Sequence, residues 1–286
     1  MKKYEELTIR DHFMFGKICM SKENSQIILR SLLNQEINLE NTDIEKYLKD
    51  YSNGKFIRLD LIAKDDRNSI YNAEMQNKSK NKEVQLDLPK RNRYYHSVID
   101  TAYIKEGVSY KDIPSTIVIF ICTYDPFGLN FPQYTFTLQC REQDIPDYDD
   151  GATTIYFNTT ADLSSLPQST RSMLEYIQTG RTEDEATTII NDAIIEARLK
   201  EEWRNEYMLT LVHDNDIYTD GYNQGQTDGY NQGQTDGYNQ GQTEVIYELV
   251  QDGLLAIDVA AIKLNLTIDS FKASMTEAGY KLPTDN

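Results

Sequence analysis

The sequence predicts an α/β fold, a mixed central sheet flanked by helices, with a helical carboxy-terminal extension. Three observations carry this reading. Extended and helical patterns follow the order strand, strand, helix, strand between Phe56 and Cys122. The run Thr116–Cys122 (TIVIFIC) is apolar on both faces, as a buried central strand requires. From Leu166 onward the composition changes and helical periodicity takes over.

In chain order, Asp11–Met20 (DHFMFGKICM) opens an apolar-rich segment. Ser21 is placed to cap a helix over about Lys22–Asn34, with Ile27, Ile28, Leu32 and Leu33 as its buried stripe. Asp11 either supports a site or caps the next turn, and the structural role is preferred. Asn41–Tyr51 fits a strand or a short helix. Asn53-Gly54 is a turn signal before Phe56–Ala63, an apolar, β-branched strand. Lys64-Asp65-Asp66-Arg67-Asn68 has turn chemistry, and Ile70–Gln76 returns as the second strand of a hairpin. Glu83–Glu106 reads as a helix broken near Pro89, with Tyr94, Tyr95, Val98, Ile99, Ala102 and Tyr103 at helical spacing and Gly107 as C-cap. Gln133–Cys140 alternates like a half-exposed strand, and Thr153–Phe157 gives another short one.

Leu166–Gln178 and Glu183 to about Leu211 read as helices, the second with Ile189, Ile190, Ala193, Ile194, Ala197 and Leu199 as its apolar stripe. Trp203, the sole tryptophan, reads as a packing residue. Then DGYNQGQT occurs three times without change, at Asp220–Thr227, Asp228–Thr235 and Asp236–Thr243. Two glycines per unit cost an isolated helix roughly 1 kcal/mol each. A flexible linker or marginal helix is therefore preferred over the alternative, a small-residue stripe along a helix that pairs across a dimer. Glu244–Asn286 returns to amphipathic helices, with Gly253 as a stop and Thr267 as a cap. Its helix, turn, helix order suits a DNA reader, but its few basic residues suit a protein-contact or dimerisation module at least as well. The expected boundaries are 1–160 for an α/β domain, 161–215 for a helical extension, 216–243 for the repeats and 244–286 for the small helical module.

Composition bounds the function. Three cysteines (Cys19, Cys122, Cys140) are too few and scattered for a disulfide framework or zinc site, so free thiols in a reducing cytoplasm are expected. No stretch approaches a membrane span, and the sequence reads as soluble. The net charge of −17 argues against a polyanionic partner, but its distribution weakens the objection. Residues 1–110 hold 19 Lys+Arg against 17 Asp+Glu, and residues 111–286 hold 10 against 29. The acidity lies in the second half.

The chemistry concentrates in the hairpin. Arg58 and Asp60 share one strand face, as do Glu74 and Gln76 on the partner strand, while Tyr71, Ala73 and Met75 point the other way. If the polar faces coincide, Asp60 and Glu74 can hold one divalent cation. Two carboxylates and an amide suit a hard ion such as Mg²⁺. A solvated hairpin face is the plainer alternative.

The pattern D-(x)13-E-x-Q at Asp60, Glu74 and Gln76 resembles the PD-(D/E)xK nuclease core in its E-x-Q variant. Around it, Asp11-His12-Phe13-Met14-Phe15, the strands RLDLIA and NAEMQ, Arg93-Tyr94-Tyr95 and Lys105–Ile121 resemble the Rpn family of recombination-promoting nucleases, also described as transposases. These motifs span roughly the first half of the chain. The resemblance implies a restriction-endonuclease-like core with an amino-terminal helix packed on the sheet, and hydrolysis of DNA phosphodiesters by Asp60, Glu74 and Gln76. It implies Mg²⁺, with Mn²⁺ or Ca²⁺ as alternatives, on Asp60 and Glu74, and a role in recombination, mobile elements or defence. The family's usual third residue is a lysine; the glutamine here brings no positive charge.

Lys78, Lys80, Lys82, Lys90, Arg91 and Arg93 follow the hairpin, opposed between 78 and 93 only by Glu83 and Asp87. Arg58, Lys78, Lys80, Lys82, Arg91, Arg93 and Tyr94 are the candidate DNA contacts, with an ordinary solvated helix face as the alternative. His12, His96 and His213 show no metal spacing. Two function classes stand: a metal-dependent DNA endonuclease of low sequence specificity, and a catalytically inactive nuclease-like protein that oligomerises, as a homodimer through its carboxy-terminal helices or repeats, or binds a partner.

Overall fold

The computed structural model describes residues 2–48, 57–77, 87–104, 107, 109–143, 145 and 148–283, with residues 44–48, 57–58 and 213–218 described by their backbone alone. The chain forms two compact units, Met1–Met208 and Leu209–Asn286.

In the first unit, α1 (His12–Cys19) and α2 (Lys22–Leu33) follow one another closely. Ser21 caps α2 as its sequence predicts, its hydroxyl accepting the Asn24 N–H at 3.2 Å. Asn41–Tyr51, ambiguous in the sequence, resolves in its described part as strand β1 (Leu39–Leu48). It pairs antiparallel with β2 (Ile57–Asp65), which turns back into β3 (Ser69–Gln76). The Asp65 carboxylate shapes that turn, accepting the N–H groups of Arg67 (3.0 Å) and Ser69 (2.7 Å) and the Tyr71 hydroxyl (3.0 Å).

Helix α3 (Leu88–Tyr103) carries the chain across to β4 (Ser115–Cys122), which lies parallel to β3. β6 (Ala152–Asn158) adds in parallel to β4, and β5 (Gln133–Phe136) pairs antiparallel at the outer side of β6. Among the described residues the sheet has six strands in the order β1-β2-β3-β4-β6-β5, the mixed sheet that the sequence predicts. α3 covers one face, where Leu88, Tyr95, Val98 and Ile99 meet Ile70, Val118, Phe120 and Tyr156.

The bounds of α3 and β5 differ from expectation. Pro89 does not break α3; it sits in the first turn, where a missing N–H costs nothing, and residues 83–86 lie outside the described residues. The helix ends on Ile104, whose N–H reaches Asp100 O at 2.9 Å, with Gly107 (φ 85°) beyond it. β5 stops at Phe136, and the exposed residues 137–140 do not continue it.

Helices α4 (Gln168–Thr179) and α5 (Glu185–Leu199) complete the first unit against its amino-terminal segments. Thr170 Oγ1 donates to Ser31 O (3.0 Å), Arg198 Nη2 to Leu7 O (2.6 Å) and Tyr4 OH to Ala197 O (2.6 Å). The helix expected from Glu183 to Leu211 is two helices, because Lys200 takes extended backbone (φ −78°, ψ 109°) before α6 (Glu201–Gln251) starts. After this bend Tyr207 packs on Tyr4 and Phe13, with ring centroids 5.9 and 5.2 Å away. Trp203 packs under Lys200 Nζ, 3.8 Å from its ring.

In the second unit the repeats lie within α6 as helix. Their polar side chains support it locally: Gln224 donates to Asp228 (2.9 Å), Gln232 to Asp236 (2.8 Å) and Gln240 to Glu244 (3.0 Å). α7 (Ile257–Lys263) and α8 (Ile268–Glu277) follow, and Thr267 caps α8 as predicted. Ile246, Tyr247, Val250, Ala260, Phe271 and Met275 form their core. Among the described residues no helix is long and apolar enough to cross a membrane.

Candidate active site

Backbone pairing of β2 with β3 runs from Lys64↔Ile70 to Leu61↔Ala73. Past that point the two acids take over the ladder. The Asp60 N–H donates to Glu74 Oε1 (3.1 Å), and the Met75 N–H donates to Asp60 Oδ2 (3.1 Å). A buried N–H needs an acceptor, and each strand finds one in the other strand's carboxylate. This exchange holds Asp60 and Glu74 across the gap at the carboxyl end of β3, beside the carboxyl end of the parallel strand β4. Ligand sites of open α/β sheets favour such ends.

Neighbours fix each acid further. Asn72 Nδ2 donates to Leu61 O (3.0 Å) and to Glu74 Oε1 (2.9 Å). His12 Nδ1, from the first turn of α1, lies 3.0 Å from Asp60 Oδ2. Asp60 is 8 % exposed, Glu74 2 % and Gln76 8 %. Burial, and then the Asp60 charge, push the Glu74 carboxyl well above the usual carboxylate range; Asn72, the Asp60 N–H and Arg91 pull the other way.

The donor set suits a hard divalent cation. Among the described residues, Asp60 Oδ1 and Glu74 Oε2 accept no hydrogen bond, so each acid keeps one oxygen for a ligand. A cation between them would offset the repulsion that raises Glu74. Among the described residues no cluster of three or more His, Cys, Asp and Glu side chains has metal-ligating geometry. A pair of carboxylates would fit an ion that retains several waters, as Mg²⁺ does.

Gln76 closes β3, and its Oε1 faces Arg91 Nη1 at 3.5 Å. Arg91 is half-buried on α3, with Nη2 donating to Tyr95 OH at 2.9 Å, so it belongs to the site's wall. Arg93 is exposed on α3, and Tyr94 is half-buried against the core beneath that helix. Arg58 falls in β2 but its side chain is outside the described residues, as are Lys78, Lys80 and Lys82. Asp11 stands apart from the acids: it accepts the Thr8 N–H (2.8 Å) and pairs with Lys2 Nζ (2.8 Å), a structural role. His96 Nε2 lies 3.0 Å from Thr154 Oγ1, a packing position.

Sequence reasoning passed over His12 and Asn72. The spacing Asp11-His12 carries no metal signature, and Asn72 had a legible clue only in sharing the strand face of Glu74. Asn77, next to the motif, donates to Arg10 O at 2.6 Å and ties the segment before α1 to the end of β3.

No curated protein and no solved structure matches the chain. Residues 10–141 match the model of a family described as PD-(D/E)XK nuclease family transposase. That segment, which contains Asp60, Glu74, Gln76 and Arg91 and five of the six described strands, all but β6, is similar to this family over just under half of the chain.

Proposed function

We propose that this protein is a metal-dependent DNA endonuclease that hydrolyses phosphodiester bonds with low sequence specificity, acting in the cytoplasm in recombination, mobile-element biology or defence. The observation that supports it is the reciprocal exchange in which Asp60 and Glu74 each accept the other strand's N–H while retaining a second oxygen. Asp60 and Glu74 would hold Mg²⁺, with Mn²⁺ or Ca²⁺ as substitutes. When bound, such an ion polarises the scissile phosphate and lowers the pKa of the attacking water. The chain's own residues prepare the place. Asn72 and the Asp60 N–H restrain Glu74 Oε1, His12 restrains Asp60 Oδ2, and Gln76 offers an amide to water or phosphate. Arg93 on the exposed face of α3, with Arg58, Lys78, Lys80 and Lys82, would grip the DNA backbone rather than read bases, which suits low specificity. The second unit would serve assembly with a second copy, testable by light scattering.

Cleavage of supercoiled plasmid with Mg²⁺ tests the reading. Wild type is expected to nick the plasmid, and Asp60→Ala and Glu74→Ala are expected to abolish nicking. Equal behaviour of all three proteins would support the binding module instead, and a parallel assay on RNA would decide the polymer.

A further inference from the structure

The motif's third position holds Gln76 where the related pattern has lysine, yet a positive charge does reach it. Arg91 arrives from the facing helix α3, with Nη1 3.5 Å from Gln76 Oε1, at the long limit of a hydrogen bond. A guanidinium carries five donors and no acceptor, so the Gln76 atom that faces it must be the carbonyl oxygen. The amide is thereby oriented, and its two Nε2 protons are turned away from Arg91. Arg91 is itself held: Nη2 donates to Tyr95 OH at 2.9 Å, and its guanidinium carbon sits 5.5 Å from that ring, one helical turn along. Tyr95 in turn is buried in the core under α3 and stacks on Phe120, with centroids 6.1 Å apart. The cation is thus fixed by the helix and the core.

We infer that Arg91 is a positioning residue: through the Gln76 carbonyl it fixes the amide as a hydrogen-bond donor to the scissile phosphate or the attacking water, and it supplies the positive charge that a lysine at position 76 would bring. A charged partner on the carbonyl strengthens the opposite N–H donors. It follows that Gln76 gives no oxygen to the cation, which is left to Asp60 and Glu74. The inference rests on the endonuclease reading.

The test uses the full chain as wild type, Arg91→Ala, Gln76→Lys, the double variant, and Gln76→Ala, with Arg91→Gln as a second variant that retains most of the stem packing. Arg91→Ala is expected to lower kcat for plasmid cleavage about 100-fold with KM little changed. Gln76→Lys in the Arg91→Ala background is expected to recover activity to within about tenfold of wild type, because the charge returns by a second route. Two readouts do not need cleavage. With Ca²⁺ replacing Mg²⁺, the salt dependence of DNA affinity should be the same for wild type and Arg91→Ala. Calorimetric Ca²⁺ affinity should survive Gln76→Ala and be lost in Glu74→Ala. The inference is overturned if the double variant, folded by its melting curve, is no more active than Arg91→Ala. It is also overturned if Arg91→Ala flattens the salt slope by about one unit, which marks a direct phosphate contact. Loss of Ca²⁺ affinity in Gln76→Ala as severe as in Glu74→Ala would overturn it too. Should wild type cut nothing, the endonuclease reading falls by itself, while the Ca²⁺ comparison still decides which atom Gln76 turns to the ion.

Discussion

The β2–β3 hairpin and the repeat stretch of α6 are both rich in polar residues, and they treat them in opposite ways. In the hairpin, Asp60, Asn72, Glu74 and Gln76 are buried, and their hydrogen bonds link one strand to the other or to a distant helix. In the repeats, Gln224, Gln232 and Gln240 are exposed and bond only to acids four residues along the same helix. Tyr222, Tyr230 and Tyr238 are exposed as well, and the repeat glycines have open space where a Cβ would sit. A buried polar group left unsatisfied costs stability, so each one in the hairpin constrains its neighbours. An exposed one constrains little, which is consistent with an identical octapeptide repeated three times.

The largest expected break in this contrast comes from the acids. Asp60→Ala or Glu74→Ala should lower Mg²⁺-dependent cleavage by roughly 10³-fold or more, equivalent to about 4 kcal/mol of transition-state stabilisation. The same assay after deletion of one DGYNQGQT unit should stay within about twofold of wild type, as expected of exposed side chains that bond only within their own helix. A large loss on deletion would show that the repeats constrain the site.

The second prediction inverts the sign in the repeats. Gly229, Gly233 and Gly237 lie inside a helix with nothing within 4 Å of an added Cβ. Replacing all three by alanine should raise helix stability by about 1 kcal/mol per site, seen as a higher melting midpoint of the 222 nm ellipticity. An unchanged or lower midpoint would mean that the stretch is not helical in solution.

Glu74→Gln sharpens the contrast within the site. Glu74 is pushed up to about 8 by burial and by the Asp60 charge, so ionising it in the apo fold is costly. The cost is absent below the unfolded carboxylate pKa, grows from about pH 4.5, and is complete above about 8. Glu74→Gln should therefore match the wild-type melting temperature near pH 4 and exceed it by a few degrees at pH 9, at roughly 2–4 °C per kcal/mol. Metal affinity should fall in the same variant. A melting temperature that is lower at pH 9 would contradict the electrostatic account.

The smallest effect belongs to Asp11. Asp11→Ala removes the acceptor of the Thr8 N–H and should cost about 1 kcal/mol of stability while leaving most of the activity. A loss as severe as that of Asp60→Ala would move Asp11 into the site.

Much of this was readable from the chain alone where a local rule applied. Alternation paired the polar faces of the hairpin, Ser21 and Thr267 announced their helices, and the apolar run at 116–122 gave the central strand. Pro89 followed a rule too, since proline is at home in a first helical turn, but its usual breaking role hid that. What local rules do not reach is convergence across distance. His12, Asp60, Gln76 and Arg91 meet because α1 lies against β2 and α3 crosses over the sheet to β4. Arg91 shows this most clearly. In sequence it is one basic residue among six between 78 and 93; in the fold it is half-buried, tied to Tyr95, and aimed at the motif's glutamine.

The most direct test of the central claim is anomalous diffraction from crystals of the wild-type protein soaked with Mn²⁺. One peak between the carboxylates of Asp60 and Glu74, with the remaining ligands water, is the predicted result. A saturated soak that leaves those oxygens without a peak, or places manganese elsewhere in the chain, would contradict it.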